Sequence, residues 1–215
     1  MEVCDLGITK YEDALRIQHE ILKERINGNI PDTLIITEHE ESIVLGRTSK
    51  ENSIKDRSYF EQKDIPIIRV ARGGKIAYHA PGQLVLYPIV DLKEREKDIS
   101  AYIDILEEIA VGALKDLGIP AERGKEKRGV WVKSKKIAFI GIAIKKWVTF
   151  HGMVININND LSAFSFIHPC GESDIEVTSL KDVLGKDMNM SVVKDAFIDR
   201  SEEKFSAENK VFKMV

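Results

Sequence analysis

Residues 129–157 carry three β-type runs in close succession, at 129–132, 136–144 and 147–157, and only Lys145-Lys146 separates the last two. So short a link joins strands as an antiparallel hairpin, because a parallel pair needs a crossover of about a dozen residues or more. The chain is thereby committed to a sheet with antiparallel pairing. The turn Asn158-Asn159-Asp160 closes the group. Further β-rich runs lie at 33–37, 42–45, 65–70 and 84–90. Pro88 marks the last of these as an edge strand or a strand end, since proline cannot donate to a ladder.

Helical patterns flank these runs. Thr9-Lys10-Tyr11-Glu12 reads as a capping box, and Leu15, Gln18, Leu22 and Ile26 follow at helical spacing up to a stop at Gly28. A second helix, capped by Asp98 or Ser100, carries Ile103, Leu106, Ile109, Ala110, Ala113 and Leu117 on one side and ends at Gly118-Ile119-Pro120. Residues 178–184 and 191–205 read as C-terminal helices, and 51–64 as a charged connector. There is no repeat, low-complexity tract or Pro/Ser-rich linker. The expected fold class is α+β: a single domain over residues 1–215, with a mixed, largely antiparallel sheet flanked by helices.

Composition narrows the function classes. Hydrophobic residues make up 43 % and charged residues 31 %, a soluble globular mix. The formal charge of −3 sets up no global field for nucleic acid or anionic membrane. The two cysteines, Cys4 and Cys170, form neither a disulfide framework nor a zinc-ribbon spacing. The start, Met1-Glu2-Val3-Cys4-Asp5, lacks a basic and an apolar leader region, and no apolar run is long enough to span a bilayer. A cytoplasmic protein is expected, and no patch reads as a subunit interface, so a monomer is expected.

Chemistry can sit in two places. Arg72-Gly73-Gly74-Lys75-Ile76-Ala77-Tyr78-His79-Ala80-Pro81-Gly82-Gln83 puts flexible backbone beside a cation, with His79 and Gln83 as polar tips. It has neither the spacing of a phosphate-binding loop nor that of a dinucleotide fingerprint; a plain turn between strands is the alternative. Cys170 lies between Pro169 and Gly171, outside any apolar stripe. A lone cysteine is ordinarily a small buried hydrophobe, and a nucleophilic one needs a cation or helix N-terminus to favour thiolate. Lys136, opening the apolar run Lys136-Ile137-Ala138-Phe139-Ile140-Gly141, is one candidate cation; a lysine at a strand end more often snorkels to solvent. His151 and His168 are other candidate partners. His79, His151, His168 and Cys170 show no zinc spacing, so no metal is expected.

Three stretches together resemble the lipoyl(octanoyl) transferases of the LipB type: the segment from Arg72 to Gln83 with 84–92 behind it; Gly129-Val130-Trp131, the Lys136 to Gly141 run and His151-Gly152; and Phe164 through Pro169-Cys170-Gly171 to Val177-Thr178-Ser179-Leu180. Tyr11, Gln18, Glu38-His39 and Leu45-Gly46-Arg47 fit the same pattern, and the match covers roughly residues 8–185. The resemblance implies the fold of the biotin/lipoate protein ligase catalytic domain. It implies transfer of an octanoyl group from acyl carrier protein to a lysine of a lipoyl domain, in a 2-oxoacid dehydrogenase E2 subunit or the glycine cleavage H protein. Cys170 would carry the acyl thioester and Lys136 would be its catalytic partner. Arg72, Gly73, Gly74, Lys75, Ile76, Ala77, Tyr78, His79, Phe139, Ile140, Gly141, Gly152, Met153 and Val154 would line the acyl site. No cofactor is implied beyond the phosphopantetheine on the donor.

The chain departs from the family at Ala80, where glycine is usual, and at Phe139, where a small residue is usual. Ala80 is expected to narrow the loop or exclude a positive φ, and Phe139 to shorten or reshape the acyl tunnel. A basic landing surface for acidic acyl carrier protein is expected from Lys133, Lys135, Lys145, Lys146, Arg123, Lys125, Lys127 and Arg128. The alternatives are an ATP-dependent lipoate or biotin ligase on the same fold, a non-catalytic acyl- or carrier-binding domain, and a thiol hydrolase using Cys170 and His151.

Overall fold

The computed structural model describes residues 1–50, 53–95, 97–169 and 175–211. In chain order the elements are β1 (Glu2–Thr9), α1 (Tyr11–Ile26), β2 (Thr33–His39), β3 (Ser42–Leu45), α2 (Arg57–Gln62), β4 (Ile67–Arg69), β5 (Ile76–His79), β6 (Gln83–Ile89), α3 (Ile99–Asp116), β7 (Ala121–Arg123), β8 (Val130–Val132), β9 (Lys135–Lys145), β10 (Val148–Asn156), α4 (Leu180–Leu184) and α5 (Met190–Val211). Among the described residues the strands form a seven-stranded sheet, β1-β2-β6-β10-β9-β8-β7, and a three-stranded one, β4-β3-β5. Pairing is antiparallel except for β1 with β2 and β3 with β4, so the α+β, largely antiparallel reading holds. The hairpin forms, with its turn one residue later than the expected Lys145-Lys146: Lys146 and Trp147 have φ of 52° and 67°, the two left-handed residues of a type I′ turn that sets Val148 opposite Lys145.

Alternation along the central strands fills both faces of the large sheet. On β6, Leu84 and Leu86 join a core with Leu106, Ile109 and Ala113 of α3 and Phe197 of α5, while Val85, Tyr87 and Ile89 point to the opposite core with Ala14 and Leu22 of α1. Each fully buried Leu or Ile contributes roughly 1.5–3 kcal/mol, so this two-sided burial fixes the register of β6. A third core under the small sheet gathers Ile43, Phe60, Ile76, Tyr78 and Phe164. Among the described residues no helix is long and apolar enough to cross a membrane.

Four local expectations need correction. Thr9 does not cap α1. It ends β1, an edge strand parallel to β2, and its hydroxyl meets the Thr37 hydroxyl at 3.0 Å, leaving Lys10 at the cap position without a side-chain bond. Pro88 is not on an edge strand, because β6 lies between β2 and β10, but it does stand at a strand end, one residue before the last of β6. Its pairing with β10 ends at Leu86, and beyond it the Thr149 hydroxyl donates to the Pro88 carbonyl at 2.8 Å, so the missing N–H breaks no ladder bond. The connector at 51–64 holds α2, capped by Asp56, whose carboxylate accepts from the Ser58 amide at 3.0 Å and the Tyr59 amide at 3.4 Å. The loop-rich stretch contains β5, which carries the chain from the small sheet through Ala80-Pro81-Gly82 into β6.

Candidate active site

A cavity of about 430 Å³ opens between the two sheets. That volume is within the usual range for a small-molecule site, roughly 300–1,000 Å³. Arg72, Gly74, Lys75, Ile76, Ala77, Tyr78 and His79 form one side of it, Lys136, Phe139, Ile140 and Gly141 come from β9, and Gly152, Met153 and Val154 from β10. Gly73 does not line it; its N–H donates to the Ile142 carbonyl at 3.0 Å and clips the loop to β9. Cys170 and Gly171 lie outside the described residues. Pro169, the residue before Cys170, lines the cavity.

Lys136 reaches this wall because β9 is irregular there. Val130 pairs with Ala138 but Trp131 pairs with Lys136, so β9 holds an extra residue, Ile137, in a bulge. Lys136 and Phe139 would face opposite ways in a regular strand; with the bulge both line the cavity, and the Lys136 ammonium sits 5.1 Å from the Phe139 ring and 5.4 Å from the Trp131 ring. The residue is 3 % exposed, so it does not snorkel. Its Nζ donates to the Arg128 carbonyl at 2.7 Å, and its backbone bonds Glu176 and Thr178 on the far side.

Arg72 is buried, donating from Nη2 to the Val44 carbonyl at 3.0 Å and from Nη1 to the Gly73 carbonyl at 2.9 Å. It acts electrostatically on Tyr11, His79, Tyr87 and His151. Burial first, then the positive charge of Arg72, pulls His151 down to about 3. Burial, with His39 and Arg72 beside it, holds His79 well below the ordinary histidine range. Burial pushes Tyr11 up to about 12 although Arg72 opposes it. The imidazoles are therefore neutral at neutral pH. His151 has φ of 56°, a left-handed conformation held by the Gln18 side chain, whose Oε1 accepts the His151 N–H at 2.8 Å. Next to it Gly152 has no room for a Cβ, which would strike the Leu86 carbonyl and come within 2.8 Å of Pro88 Cδ; glycine lets β10 press onto β6 at the cavity wall.

Gln83 turns inward to hold its own loop: its Oε1 accepts the Ala80 N–H at 3.0 Å and its Nε2 donates to Asn156 at 2.8 Å. Ala80 is buried among Tyr78 and Phe164 and does not have a positive φ, so the local backbone excludes nothing that glycine would need. Phe139 stacks on Phe164 at 5.8 Å with planes 12° apart, a flat aromatic wall. The expected basic surface is smaller than its sequence suggested: Arg123 and Arg128 are ion-paired with Asp104 and Glu107 of α3, and Lys135 lies 3.6 Å from Glu176.

Several cavity residues had no assigned role at the level of sequence. Tyr11 and Tyr87 line the cavity, Tyr11 stacks on His79 at 5.5 Å, and His39 bonds the Tyr87 hydroxyl at 2.7 Å. Tyr11, Gln18 and His39 belonged to the family pattern, and that was their only signal. Phe164 and Ile167 fell within the third family stretch and had no other signal, since nothing local separates them from ordinary core residues; Glu107, which does not line the cavity, had no signal at all.

Comparison with known proteins adds to this geometry. The family described as the lipoyl protein ligase A/B catalytic domain matches residues 10–202. The octanoyltransferase of Caldicellulosiruptor bescii is 43% identical over 198 residues, covering 91% of this chain and 87% of that one. A crystal structure of lipoate-protein ligase A bound with ATP superposes with a TM-score of 0.75 at 19% identity, covering 95% of this chain and 85% of the other. Biotin protein ligase from Aquifex aeolicus, in complex with biotin and ATP, gives 0.61 at 15% identity, covering 97% and 72%. At those identities the two ligases share the fold, and nothing about their activity transfers.

Proposed function

The chain belongs to the lipoyl protein ligase A/B catalytic domain family, and we propose that it is an octanoyltransferase that works through a thioester on Cys170. Octanoyl-acyl carrier protein is the donor, and a lysine of a lipoyl domain, in an E2 subunit or the glycine cleavage H protein, is the acceptor. The reaction takes place in the cytoplasm. Relatives named octanoyltransferase support the acyl transfer. The observation that carries the chemistry is a buried lysine, Lys136, on the wall of an apolar cavity that Pro169 also lines.

In the first half-reaction the Cys170 thiolate attacks the donor carbonyl, and the phosphopantetheine thiolate leaves, taking a proton from the Lys136 ammonium so that Lys136 is left neutral. The Lys136 ammonium favours the thiolate form. In the second half the acceptor amine attacks the Cys170 thioester, the C–S bond breaks, and the amine proton passes to neutral Lys136. The route uses the donor's own arm and no resident cofactor. The segment from Arg72 to His79, the β9 residues Phe139 to Gly141, and Gly152, Met153 and Val154 would enclose the acyl chain.

Burial that holds His151 near 3 makes it a weak proton acceptor at neutral pH, which counts against a hydrolase pairing Cys170 with His151. The test is intact mass spectrometry after mixing with octanoyl-acyl carrier protein. An octanoyl adduct without ATP, absent in Cys170→Ser and passed to a lipoyl domain, is expected. Product formed only from free acid plus ATP would make the protein a ligase, and no adduct at all would leave a binding domain.

A further inference from the structure

Glu107 is a carboxylate buried on the otherwise apolar face of α3, beside Leu106 and Ala110, and is 1 % exposed. A buried charge is tolerated only when it is paired and hydrogen-bonded. One of its oxygens, Oε2, accepts from Arg123 Nε at 3.0 Å and from Arg128 Nη1 at 3.1 Å. The other, Oε1, accepts the Gly129 N–H at 2.7 Å. The two arginines would be enough to anchor the loop between β7 and β8. The third bond goes to one particular peptide.

That peptide joins Arg128 to Gly129. Its carbonyl accepts the Lys136 ammonium at 2.7 Å, and its N–H is the one that Glu107 takes. The C=O and N–H of a trans peptide point in opposite directions, so a single amide stands between the carboxylate and the ammonium, bonded at both ends. Bonds in series polarise one another: a carboxylate drawing on the N–H makes the carbonyl a stronger acceptor, most of all for a charged donor. Gly129 makes the arrangement possible. Its φ is 118°, and a Cβ there would lie 2.5 Å from Lys136 Cε and 2.7 Å from the Ala138 carbonyl, so only glycine lets the lysine stem lie across the peptide.

We propose that Glu107 is a positioning residue that holds the Lys136 ammonium at the cavity wall through the Arg128–Gly129 peptide. This rests on the reading of Lys136 as the group that serves Cys170, and it adds the element that sets where that group stands. Glu107 touches neither acyl chain nor sulfur; it acts through one amide.

The experiment uses the full chain with labelled lysine and follows the Lys136 Nζ resonance, assigned by its loss in Lys136→Ala, together with octanoyl transfer kinetics. Glu107→Leu removes acceptor and charge. It should move the Lys136 resonance and lower kcat about 10-fold or more while leaving KM for the acyl donor within about 2-fold, as expected when a reacting group is misplaced. Glu107→Gln keeps an acceptor of the same reach without the charge. It should move the resonance less and lower kcat only about 3-fold, a partial rescue that also serves if the leucine variant does not fold. Leu114→Ala, a core truncation elsewhere on α3, should lose stability with the resonance and kcat unchanged. An unmoved resonance, or an unmoved kcat, in the Glu107 variants overturns the inference. Full turnover in Lys136→Ala overturns instead the role of Lys136 on which it rests.

Discussion

The Lys136 ammonium lies 5.1 Å from the centre of the Phe139 ring, although the two residues are three apart on one strand. The bulge at Ile137 places them on the same side, and Phe139 in turn stacks on Phe164. The lysine end of the cavity and its aromatic wall are thus one packed unit.

Phe139→Ala should open that wall. Each methylene newly accommodated is worth about 1–3 kcal/mol of discrimination, so the ratio of dodecanoyl to octanoyl transfer should rise about 10-fold or more. Competition between octanoyl-, decanoyl- and dodecanoyl-acyl carrier protein measures it. An unchanged ratio would mean that Phe139 does not set chain length. Stability should fall by about 2–3 kcal/mol, less than for a fully buried phenylalanine.

Stability should decline in mild acid through the buried histidines. Burial pulls His39 down to about 4 in the folded chain, against about 6.5 when unfolded. Between those values the unfolded chain binds the extra proton, so the contribution is complete above about pH 6.5 and is lost as pH falls through about 4. Urea midpoints at several pH values should show this slope, and His39→Gln should flatten it by up to about 1.4 kcal/mol per pH unit. Identical slopes in the two proteins would contradict it.

Asp32 ties the end of α1 to the segment after β6. Its carboxylate accepts from Arg25 Nε at 2.8 Å, from Arg95 Nη1 at 2.9 Å and from the Asp91 N–H at 3.0 Å. Asp32→Ala leaves two buried guanidinium groups without this partner and should cost about 3–5 kcal/mol in urea unfolding. Transfer activity below the transition should persist, since none of these groups lines the cavity.

Ala80→Gly should not raise activity. Ala80 is 5 % exposed and sits at an ordinary φ, so its methyl packs without strain. Losing it should lower stability by about 1 kcal/mol in thermal or urea unfolding. A gain in kcat would show that the methyl narrows the loop after all.

Sequence alone determined the elements whose signal is local. The two-residue link fixed the β9–β10 hairpin, because no other connection fits so short a span. Helical spacing placed α1 and α3, and Asp98 caps α3 by accepting from Ser100 at 2.7 Å and Ala101 at 3.1 Å. The family motifs already grouped Arg72 to His79 with Lys136 and Gly141. Thr9 shows where local reading stops: it has the chemistry of a cap, yet pairing of β1 with β2 takes its hydroxyl to Thr37. Tertiary structure alone decided that Lys136 shares a face with Phe139, that Glu107 meets the Gly129 amide, and that Arg123, Arg128 and Lys135 are already paired. A bulge, a bond between α3 and a loop, and an ion pair across elements all join residues distant in sequence or break a period, and no local pattern encodes either.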